Sequence, residues 1–300
     1  MKLLVIGREG QLARALAAEL PARPDITATF AGHAEADLAQ EASLREVVAR
    51  HAPHLVINAG AYTAVDKAED EIEAARAANA TGPGHLAELC AARGIPLIHV
   101  STDYVFNGRL DRPYREDDAT DPLGSYGRSK LEGEERIAAA LSQHVILRTA
   151  WVHSPWGKNF VKTMLALGAT RDELRVVDDQ IGCPTYAPHL AHACLDVAHK
   201  ILTAPDAGVW GTFHCAGSGE TTWYGFAREI LRVAARSSAR DVRVTPITTA
   251  DYPTRAVRPA NSRLDCAKFA KTFGLSLPAW EIGAKQCVEA IMALPTGSKE

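Results

Sequence analysis

Short apolar segments alternate with longer amphipathic stretches along the first half of the chain. Five of these segments are apolar at nearly every position, namely Lys2–Ile6, Ile26–Ala31, Leu55–Ala59, Pro96–Ser101 and Val145–Val152. Strands of this kind are typical of a parallel sheet that is covered on both faces. The stretches between them have helical spacing, most clearly at Gln11–Leu20 and Tyr126–Leu141. The alternation predicts an α/β fold with a doubly wound parallel sheet.

One helix start has its own signal. Ser43-Leu44-Arg45-Glu46 has the form of a capping box, in which a serine hydroxyl and a glutamate three residues later bind each other's backbone N–H groups. The box predicts a helix that begins at this point and continues to about His51.

The second half of the chain has a looser pattern that prolines interrupt. Helical spacing returns at Asn159–Leu167, Ala187–Leu202, Thr222–Ala235 and Ile282–Leu294. We interpret residues 1–150 as the sheet domain and residues 151–295 mainly as a smaller C-terminal lobe, with segments that return to the sheet. Residues 296–300 are expected to form a flexible tail.

Composition and charge exclude several classes of protein. The formal net charge of −3 gives no electrostatic reason to expect nucleic acid or an anionic membrane as a partner. No apolar run approaches the roughly 20 residues that span a bilayer. The chain enters its first strand directly and lacks a signal-peptide pattern, so we expect a cytoplasmic protein. The six cysteines and eleven histidines have no zinc-ligand spacing, and no metal site is predicted.

A glycine-containing turn lies between the first strand and the first helix. Gly7 can form the tight turn, Gly10 lets a pyrophosphate approach the backbone, and Ala13 allows close packing of helix on strand. Free N–H groups at the helix start would then face the phosphates. The turn predicts a Rossmann-type dinucleotide site, so the sheet domain is assigned to NAD(P) and the smaller lobe to the substrate.

The end of the second strand bears on the choice between NADH and NADPH. An acidic residue there would hold the ribose 2′-hydroxyl of NAD, but Ala28–His33 contains none, and Glu35 and Asp37 come later. Arg8 and His33 are placed to face a 2′-phosphate. The pattern therefore favours NADPH modestly, or use of both cofactors, against the alternative that Arg8 is a solvated turn residue.

Tyr126 and Lys130 form the candidate catalytic pair. Residues four apart lie on one helical face, and an ammonium near a phenol is expected to lower the tyrosine pKa. Such a tyrosine can give a proton to a carbonyl oxygen as hydride reaches the carbon. Thr102 and Asp103 follow the fourth strand at the carboxyl edge of the sheet, where open α/β sheets bind ligands. They offer a hydroxyl and an acceptor to the substrate.

The turn, the order of strands and the Thr and Tyr-x-x-x-Lys elements resemble the extended short-chain dehydrogenase/reductases. More narrowly, the chain resembles the dTDP-4-dehydrorhamnose reductase family over nearly its whole length. The resemblance lies in the strings Gly10–Leu12, Asn58–Glu69, Ser101–Phe106, Tyr126–Lys130, Arg148–Val152, Asn159–Met164, Asp179–Thr185 and Arg258–Leu264.

The resemblance implies a reaction and a set of site residues. The reaction is reduction of the C4 ketone of dTDP-4-dehydro-L-rhamnose by NADPH or NADH, the last step in making dTDP-L-rhamnose. The implied catalytic residues are Tyr126 as proton donor, Lys130 as its partner and Thr102. The pair also contacts the cofactor, and the other implied cofactor residues are Gly7, Gly10, Gln11, Leu12, Asp37, Leu38, Ala61, Tyr62 and Thr63. The implied substrate residues are Thr102, Asp103, Trp151, Asn159 and Arg258.

The resemblance also implies a homodimer, which in some members of the family is held by magnesium through a glutamate of the first helix. This chain departs from that pattern, because it has Ala13, Arg14 and Ala15 there. The departure argues against magnesium and against dimerisation through it.

The substrate diphosphate needs a cationic partner, and guanidinium groups suit it. Arg255, Arg258 and Arg263 lie in one Pro-interrupted segment, and Lys158 with Asn159 lies in another. Which arginine would contact phosphate stays open.

Two alternatives also stay open. One is a related sugar-nucleotide 4-ketoreductase that gives another deoxysugar. The other is a non-catalytic regulatory subunit of the methionine adenosyltransferase type. A regulator need not keep Thr102, Tyr126 and Lys130 together, so their presence favours an enzyme.

Overall fold

The computed structural model describes residues 1–204, 208–238 and 241–293. The tail predicted at 296–300 lies outside the described residues, as does the last position of the helix predicted to end at Leu294. The helices are α1 (Gln11–Glu19), α2 (Glu41–His51), α3 (Ile72–Arg76), α4 (Gly82–Ala91), α5 (Ser125–Ala140), α6 (Phe160–Gly168), α7 (Ala187–Thr203), α8 (Trp223–Ser238), α9 (Ala267–Phe273) and α10 (Trp280–Ala293). Shorter helical turns lie at Leu20–Ala22, Lys67–Glu69, Ala77–Thr81, Asp103–Val105 and Thr249–Asp251.

The apolar segments of the first half pair into one parallel sheet. Its strands are β1 (Lys2–Ile6), β2 (Thr27–Ala31), β3 (Leu55–Asn58), β4 (Leu97–Thr102), β5 (His144–Thr149) and, from the second half, β10 (Gly211–His214). Their spatial order is β10-β5-β4-β3-β1-β2, and every neighbouring pair is parallel. The sheet confirms the predicted doubly wound α/β fold. Its order reverses at β1, which opens a crevice between β1 and β3 at their carboxyl ends.

Burial on both faces explains why these strands are apolar throughout. Leu3 and Val5 of β1 belong to a core cluster with residues of α1, α7 and α9. Leu4 and Ile6, which point the other way, belong to a second cluster with residues of α2, α4 and α5. Successive strand side chains alternate between faces, so each face requires its own apolar set.

The second half contains short strands around a separate aromatic core. These strands are β6 (Val152–His153), β7 (Glu173–Val177), β8 (Ile181–Gly182), β9 (Thr185–Tyr186), β11 (Thr221–Thr222), β12 (Arg243–Ile247) and β13 (Asn261–Ser262). Residues of α6, α8 and α10 form the core cluster beneath them. Helix α7 packs against α1, and β10 extends the main sheet, so parts of this half lie on the sheet.

Two local predictions were wrong. Helix α2 ends at His51 as predicted, but it begins at Glu41, and the Ser43 hydroxyl donates to the backbone oxygens of Asp37 and Gln40 at 3.0 and 2.9 Å, so no capping box forms. The fifth strand ends at Thr149, before the predicted Val152, because the chain turns at Trp151, whose φ is +48°.

None of the helices within the described ranges combines the length and the apolar character that crossing a bilayer requires.

Candidate functional site

A cleft of about 880 Å³ lies at the carboxyl ends of the central strands. It brings together residues that are far apart in sequence, from the glycine turn, the ends of β3 and β4, the start of α5 and the chain after β5. Among its lining residues are Gly7, Gly10, Gln11, Leu12, Asp37, Leu38, Ala61, Tyr62, Thr63, Thr102, Asp103, Tyr126, Lys130 and Trp151. Asn159 and Arg258 are the two predicted site residues that do not line it.

The glycine turn has the shape that a dinucleotide pyrophosphate needs. Gly7 has a φ of +112°, which side chains rarely adopt, and no atom lies within 4 Å of where a Gly10 Cβ would stand. Gly10 precedes α1 without a side-chain cap, and the first turn of the helix contains no acidic residue. The first N–H groups of α1 are therefore available to an anion, with the helix dipole in the favourable direction.

Arg8, which lines this cleft, forms a salt bridge with Glu35. The Arg8 guanidinium also donates to the Phe30 backbone oxygen at 2.6 Å, and the Glu35 carboxylate accepts from the Gly32 N–H at 3.0 Å. Arg8 beside Glu35 lowers the pKa of that carboxyl. The sequence allowed two interpretations of Arg8, as a phosphate ligand or as a solvated turn residue. In the structure its side chain is half-exposed and bound to Glu35.

The segment Ala61–Thr63 is fixed by Asn79, a residue that the sequence reasoning missed. The Asn79 amide accepts from the Tyr62 N–H at 2.8 Å and donates to the Tyr62 oxygen at 3.0 Å. It also donates to the Ser129 hydroxyl of α5 at 3.1 Å. A single asparagine in the alanine-rich stretch 74–80 was the available signal. Asn79 thus joins one wall of the cleft to the helix that carries Tyr126.

Thr102 and Asp103 lie at the end of β4, facing the start of α5. The Thr102 hydroxyl donates to Asp103 Oδ1 at 3.1 Å and accepts from the Tyr104 N–H at 3.2 Å. Burial raises the pKa of Asp103 to about 6, although hydrogen bonds with Ser262 and Thr102 oppose the shift. Asp103 is thus a buried carboxyl next to the proposed reaction centre.

The pKa of Tyr126 differs from the value that the sequence predicted. The sequence predicted that Lys130 lowers the phenol pKa, but burial raises the pKa of Tyr126, and Asp103 and Tyr104 add to the increase while a hydrogen bond with Thr102 opposes it. Burial is the main cause, and the Lys130 nitrogen is bound to the Val100 oxygen and lies beside His99. Tyr126 therefore holds its proton at neutral pH, as a proton donor must.

Lys130 is almost fully buried, with 1% of its surface exposed. Its Nζ donates to the Val100 backbone oxygen at 2.7 Å and lies 3.1 Å from His99 Nε2. Burial lowers the pKa of Lys130 to about 8, and the charge of Glu134 opposes the shift. His99 was missed by the sequence reasoning, because no local spacing relates it to Lys130.

A buried ion pair supports this part of the site from behind. Arg148 of β5 binds Glu134 of α5 through two nitrogens, with Nε–Oε1 at 3.0 Å and Nη2–Oε2 at 2.6 Å. The Ser101 hydroxyl donates to the same carboxylate. Both charged side chains are at most 6% exposed, so each neutralises the other in a dry environment.

Trp151 lines the cleft with both ring faces covered. One face stacks on Trp223 with centroids 3.6 Å apart, and the other lies against Gly182, where a Cβ would stand 2.6 Å from the indole. Trp151 therefore presents a ring edge to a ligand in this conformation. Trp223 also lines the cleft and was missed by the sequence reasoning, because Trp151 and Trp223 are 72 positions apart and meet only in the folded chain.

Asn159 and Arg258 bind protein groups outside the cleft lining. The Asn159 side chain caps α6 at Lys162 and donates to Gln11 Oε1 at 3.0 Å, which ties the second lobe to the glycine turn. Arg258 donates to Tyr104 Oη at 2.9 Å and to Asp66 Oδ2 at 2.7 Å.

The other candidate cations differ in position. Arg255 pairs with Asp70 on the surface, and Arg263 binds Glu220, Asn261 and the Asp111 backbone oxygen. Lys158 is exposed and lines the cleft. Among the described residues no three His, Cys, Asp or Glu side chains come together as a metal site would require.

Comparisons with known proteins agree over nearly the whole chain. The model of a family described as RmlD substrate binding domain matches residues 1–293. The dTDP-4-dehydrorhamnose reductase of Sinorhizobium fredii is 47% identical over 292 residues, which cover 97% of this chain and 98% of that protein.

Solved structures give the same result. The crystal structure of a dTDP-4-dehydrorhamnose reductase from Clostridium acetobutylicum superimposes with a TM-score of 0.90 at 37% identity, covering 97% of this chain and 100% of that one. A Bacillus anthracis dTDP-4-dehydrorhamnose reductase in complex with NADP has a TM-score of 0.86 at 32% identity, with 96% and 99% covered.

Proposed function

Because this chain belongs to the dTDP-4-dehydrorhamnose reductase family, we propose that it reduces the C4 ketone of dTDP-4-dehydro-L-rhamnose to dTDP-L-rhamnose with NADPH or NADH. The observation that carries the proposal is the convergence of Thr102, Tyr126 and Lys130 in one cleft with an uncapped glycine turn. A cleft of this kind can hold a nicotinamide cofactor and a ketone at the same time.

In this proposal the bound cofactor supplies hydride, and the residues of the chain handle the proton and the orientation. Gly7, Gly10 and the first N–H groups of α1 would hold the pyrophosphate. Tyr126 donates its phenolic proton to the ketone oxygen as negative charge develops there. Thr102 orients the phenol, and Lys130 directs an N–H to the nicotinamide ribose.

The direct test is oxidation of NADPH by the purified protein after addition of dTDP-4-dehydro-L-rhamnose. NMR of the product then gives the configuration at C4. A product with the other C4 configuration would mean a related 4-ketoreductase, and unchanged NADPH would favour the regulatory alternative.

We predict that kcat/KM for NADPH is at least equal to that for NADH. No acid ends β2, and Glu35 is already bound to Arg8 and to the Gly32 N–H. Replacing Arg8 by alanine is expected to reduce the preference for NADPH, because Arg8 lines the cleft and its guanidinium suits a 2′-phosphate. Titration calorimetry with NADP⁺ and NAD⁺ measures this without turnover. A large preference for NADH would show that Glu35 or Asp37 reaches the ribose instead.

We predict that Arg258→Ala raises KM for the sugar nucleotide and leaves NADPH affinity nearly unchanged. Arg258 holds the hydroxyl of Tyr104, which follows Asp103, and the carboxylate of Asp66, and its side chain remains 21% exposed beside the cleft. We infer that this guanidinium can also bind the diphosphate of the substrate. Because binding energy also orients the ketone, kcat can fall as well. Steady-state kinetics with each substrate varied in turn measures both constants.

The control for that prediction is Arg255→Ala on the same loop, where the guanidinium is 64% exposed and binds Asp70. This variant is expected to keep both constants of the wild type. An equal effect of the two substitutions would assign the change to the loop as a whole.

We also propose that the protein is cytoplasmic and that it forms a homodimer. The six cysteines are unpaired, five of them buried, as suits a reducing compartment such as the cytoplasm. A homodimer, implied by the family resemblance, can be tested by sedimentation velocity with and without magnesium.

A further inference from the structure

The indole of Trp151 is clamped between two residues of the second lobe, Trp223 and Gly182. The Trp223 ring stacks on one face, with its plane tilted by only 10°. On the other face, a Cβ on Gly182 would stand 2.6 Å from Trp151 Cε2 and slightly farther, 2.7 and 2.9 Å, from Cζ2 and Nε1. Cε2 lies between those two atoms and is the nearest, so Gly182 contacts the ring face and not its edge. A side chain at position 182 therefore cannot fit without displacing the indole.

The backbone of Trp151 is fixed as well. Its φ of +48° lies in the left-handed region, which bulky residues rarely adopt. The Trp151 carbonyl oxygen accepts from the Thr185 N–H at 3.3 Å and lies 3.2 Å from His153 Nδ1. Burial lowers the pKa of His153 to about 4, so the ring is neutral and its Nδ1–H donates to that oxygen. A strained backbone of this kind persists only where surrounding contacts enforce it, and it is common at ligand sites.

Trp223 cannot easily move away from Trp151, because its own partners hold it. Its Nε1–H donates to Gln180 Oε1 at 3.2 Å, and the Gln180 amide donates in turn to Thr249 Oγ1 at 2.9 Å. Gln180 is buried, and the Trp223 ring also packs against Phe160 with centroids 4.6 Å apart. The stack is thus supported from the side that faces away from Trp151.

The strand that carries Gly182 connects this clamp to the reaction centre. In β8, Gly182 pairs with Thr221 of β11, two residues before Trp223. On its other edge Gly182 pairs with Ser262 of β13, whose side chain forms a hydrogen bond with Asp103. One small sheet therefore sets the position of the indole relative to Asp103 at the end of β4.

We propose that Gly182 and Trp223 are positioning residues that hold the Trp151 indole edge-on in the cleft, where its edge sets the orientation of the sugar ring. With both faces covered, the indole cannot stack on the apolar face of a sugar. An aromatic edge carries positive potential, which suits an oxygen of the sugar. The proposal rests on the proposed function for the identity of the ligand, whereas the clamp exists without one.

The first experiment tests the clamp without cofactor or substrate. Two stacked indoles couple their electronic transitions and give a couplet in far-ultraviolet circular dichroism. Subtracting the Trp223→Phe spectrum from that of the wild type is expected to reveal this couplet, and Trp151→Phe should give a difference of the same shape. The control is Trp210→Phe, at a tryptophan that packs on the main-sheet core instead of the aromatic core of the second lobe. Absence of the couplet from both differences would overturn the proposal.

The second experiment displaces the indole with Gly182→Ala. We expect kcat/KM for dTDP-4-dehydro-L-rhamnose to fall by about 10²-fold, because a shift of about 1 Å in a positioning group can have that effect. The Kd for NADP⁺, measured by titration calorimetry, should stay that of the wild type.

The matched control is Gly168→Ala, where the new Cβ meets Leu231 Cδ2 at 2.7 Å in the same lobe but away from Trp151. It introduces similar crowding and is expected to keep the kcat/KM of the wild type, even where the melting temperature falls. Equal losses of kcat/KM in the two variants would overturn the positioning role, since packing of the lobe would then explain both.

The third experiment compares two replacements of Trp223. Trp223→Phe keeps a ring that can stack on Trp151 and should retain most of the wild-type kcat/KM, whereas Trp223→Leu should lose about as much as Gly182→Ala. Wild-type kcat/KM in Trp223→Leu would overturn the proposal. If the wild type itself does not reduce the sugar nucleotide, the proposed function fails, and the dichroism experiment still decides whether the clamp exists.

Discussion

Tyr126→Phe is expected to lower turnover by about 10²–10⁴-fold, while the Kd values for NADPH and the sugar nucleotide change little. Tyr126 lies in the cleft beside Thr102, and burial keeps its proton on the phenol. Removing the hydroxyl takes away the proton donor and leaves the ring that packs against Tyr104, with centroids 5.6 Å apart. Single-turnover kinetics at saturating NADPH separates this loss of chemistry from a loss of binding.

The matched control is Tyr252→Phe, which makes the same change at a side chain that is 61% exposed. Turnover of that variant should equal that of the wild type. Near wild-type turnover of Tyr126→Phe would refute the assignment of the proton donor, and attention would then pass to Asp103, whose pKa burial raises to about 6.

Arg148→Met is expected to reduce the free energy of unfolding by about 3–5 kcal/mol. The substitution keeps most of the side-chain volume but leaves Glu134 buried without its cation, since both side chains are at most 6% exposed. Urea titration followed by circular dichroism measures the change. The double variant Glu134→Leu with Arg148→Met should recover much of the loss, because neither member of the pair then remains as an unpaired buried charge.

Arg136→Met on the same helix α5 provides the comparison. Arg136 binds Glu132 at 2.7 Å, but its side chain is 41% exposed, so its removal should cost less than about 1 kcal/mol. If Arg148→Met cost no more than Arg136→Met, the buried pair would contribute nothing beyond an exposed one.

The sequence by itself determined those features that depend on neighbours along the chain. Strands apolar at nearly every position predicted a sheet covered on both faces, and burial of Leu3 and Leu4 in two different clusters confirms it. The spacing of Tyr126 and Lys130 put both on one face of a helix, because a helix repeats every 3.6 residues. The glycine turn was equally local, since it needs only a strand, two glycines and a helix start.

Tertiary structure alone decided the features that depend on which strands become neighbours. Asn58 and His99 lie 41 positions apart and meet because β3 and β4 pair in parallel, a register that no local pattern contains. Arg258 binds Asp66, which lies 192 positions earlier in the chain. The sequence alone could not show this ion pair, so the segment that contains Arg258 was interpreted only as a possible phosphate ligand. The pKa of Tyr126 rises instead of falling, mainly because the phenol is buried. Burial of Tyr126 and the partners of Lys130 depend on tertiary packing, so the spacing of the two residues along the helix could not predict them.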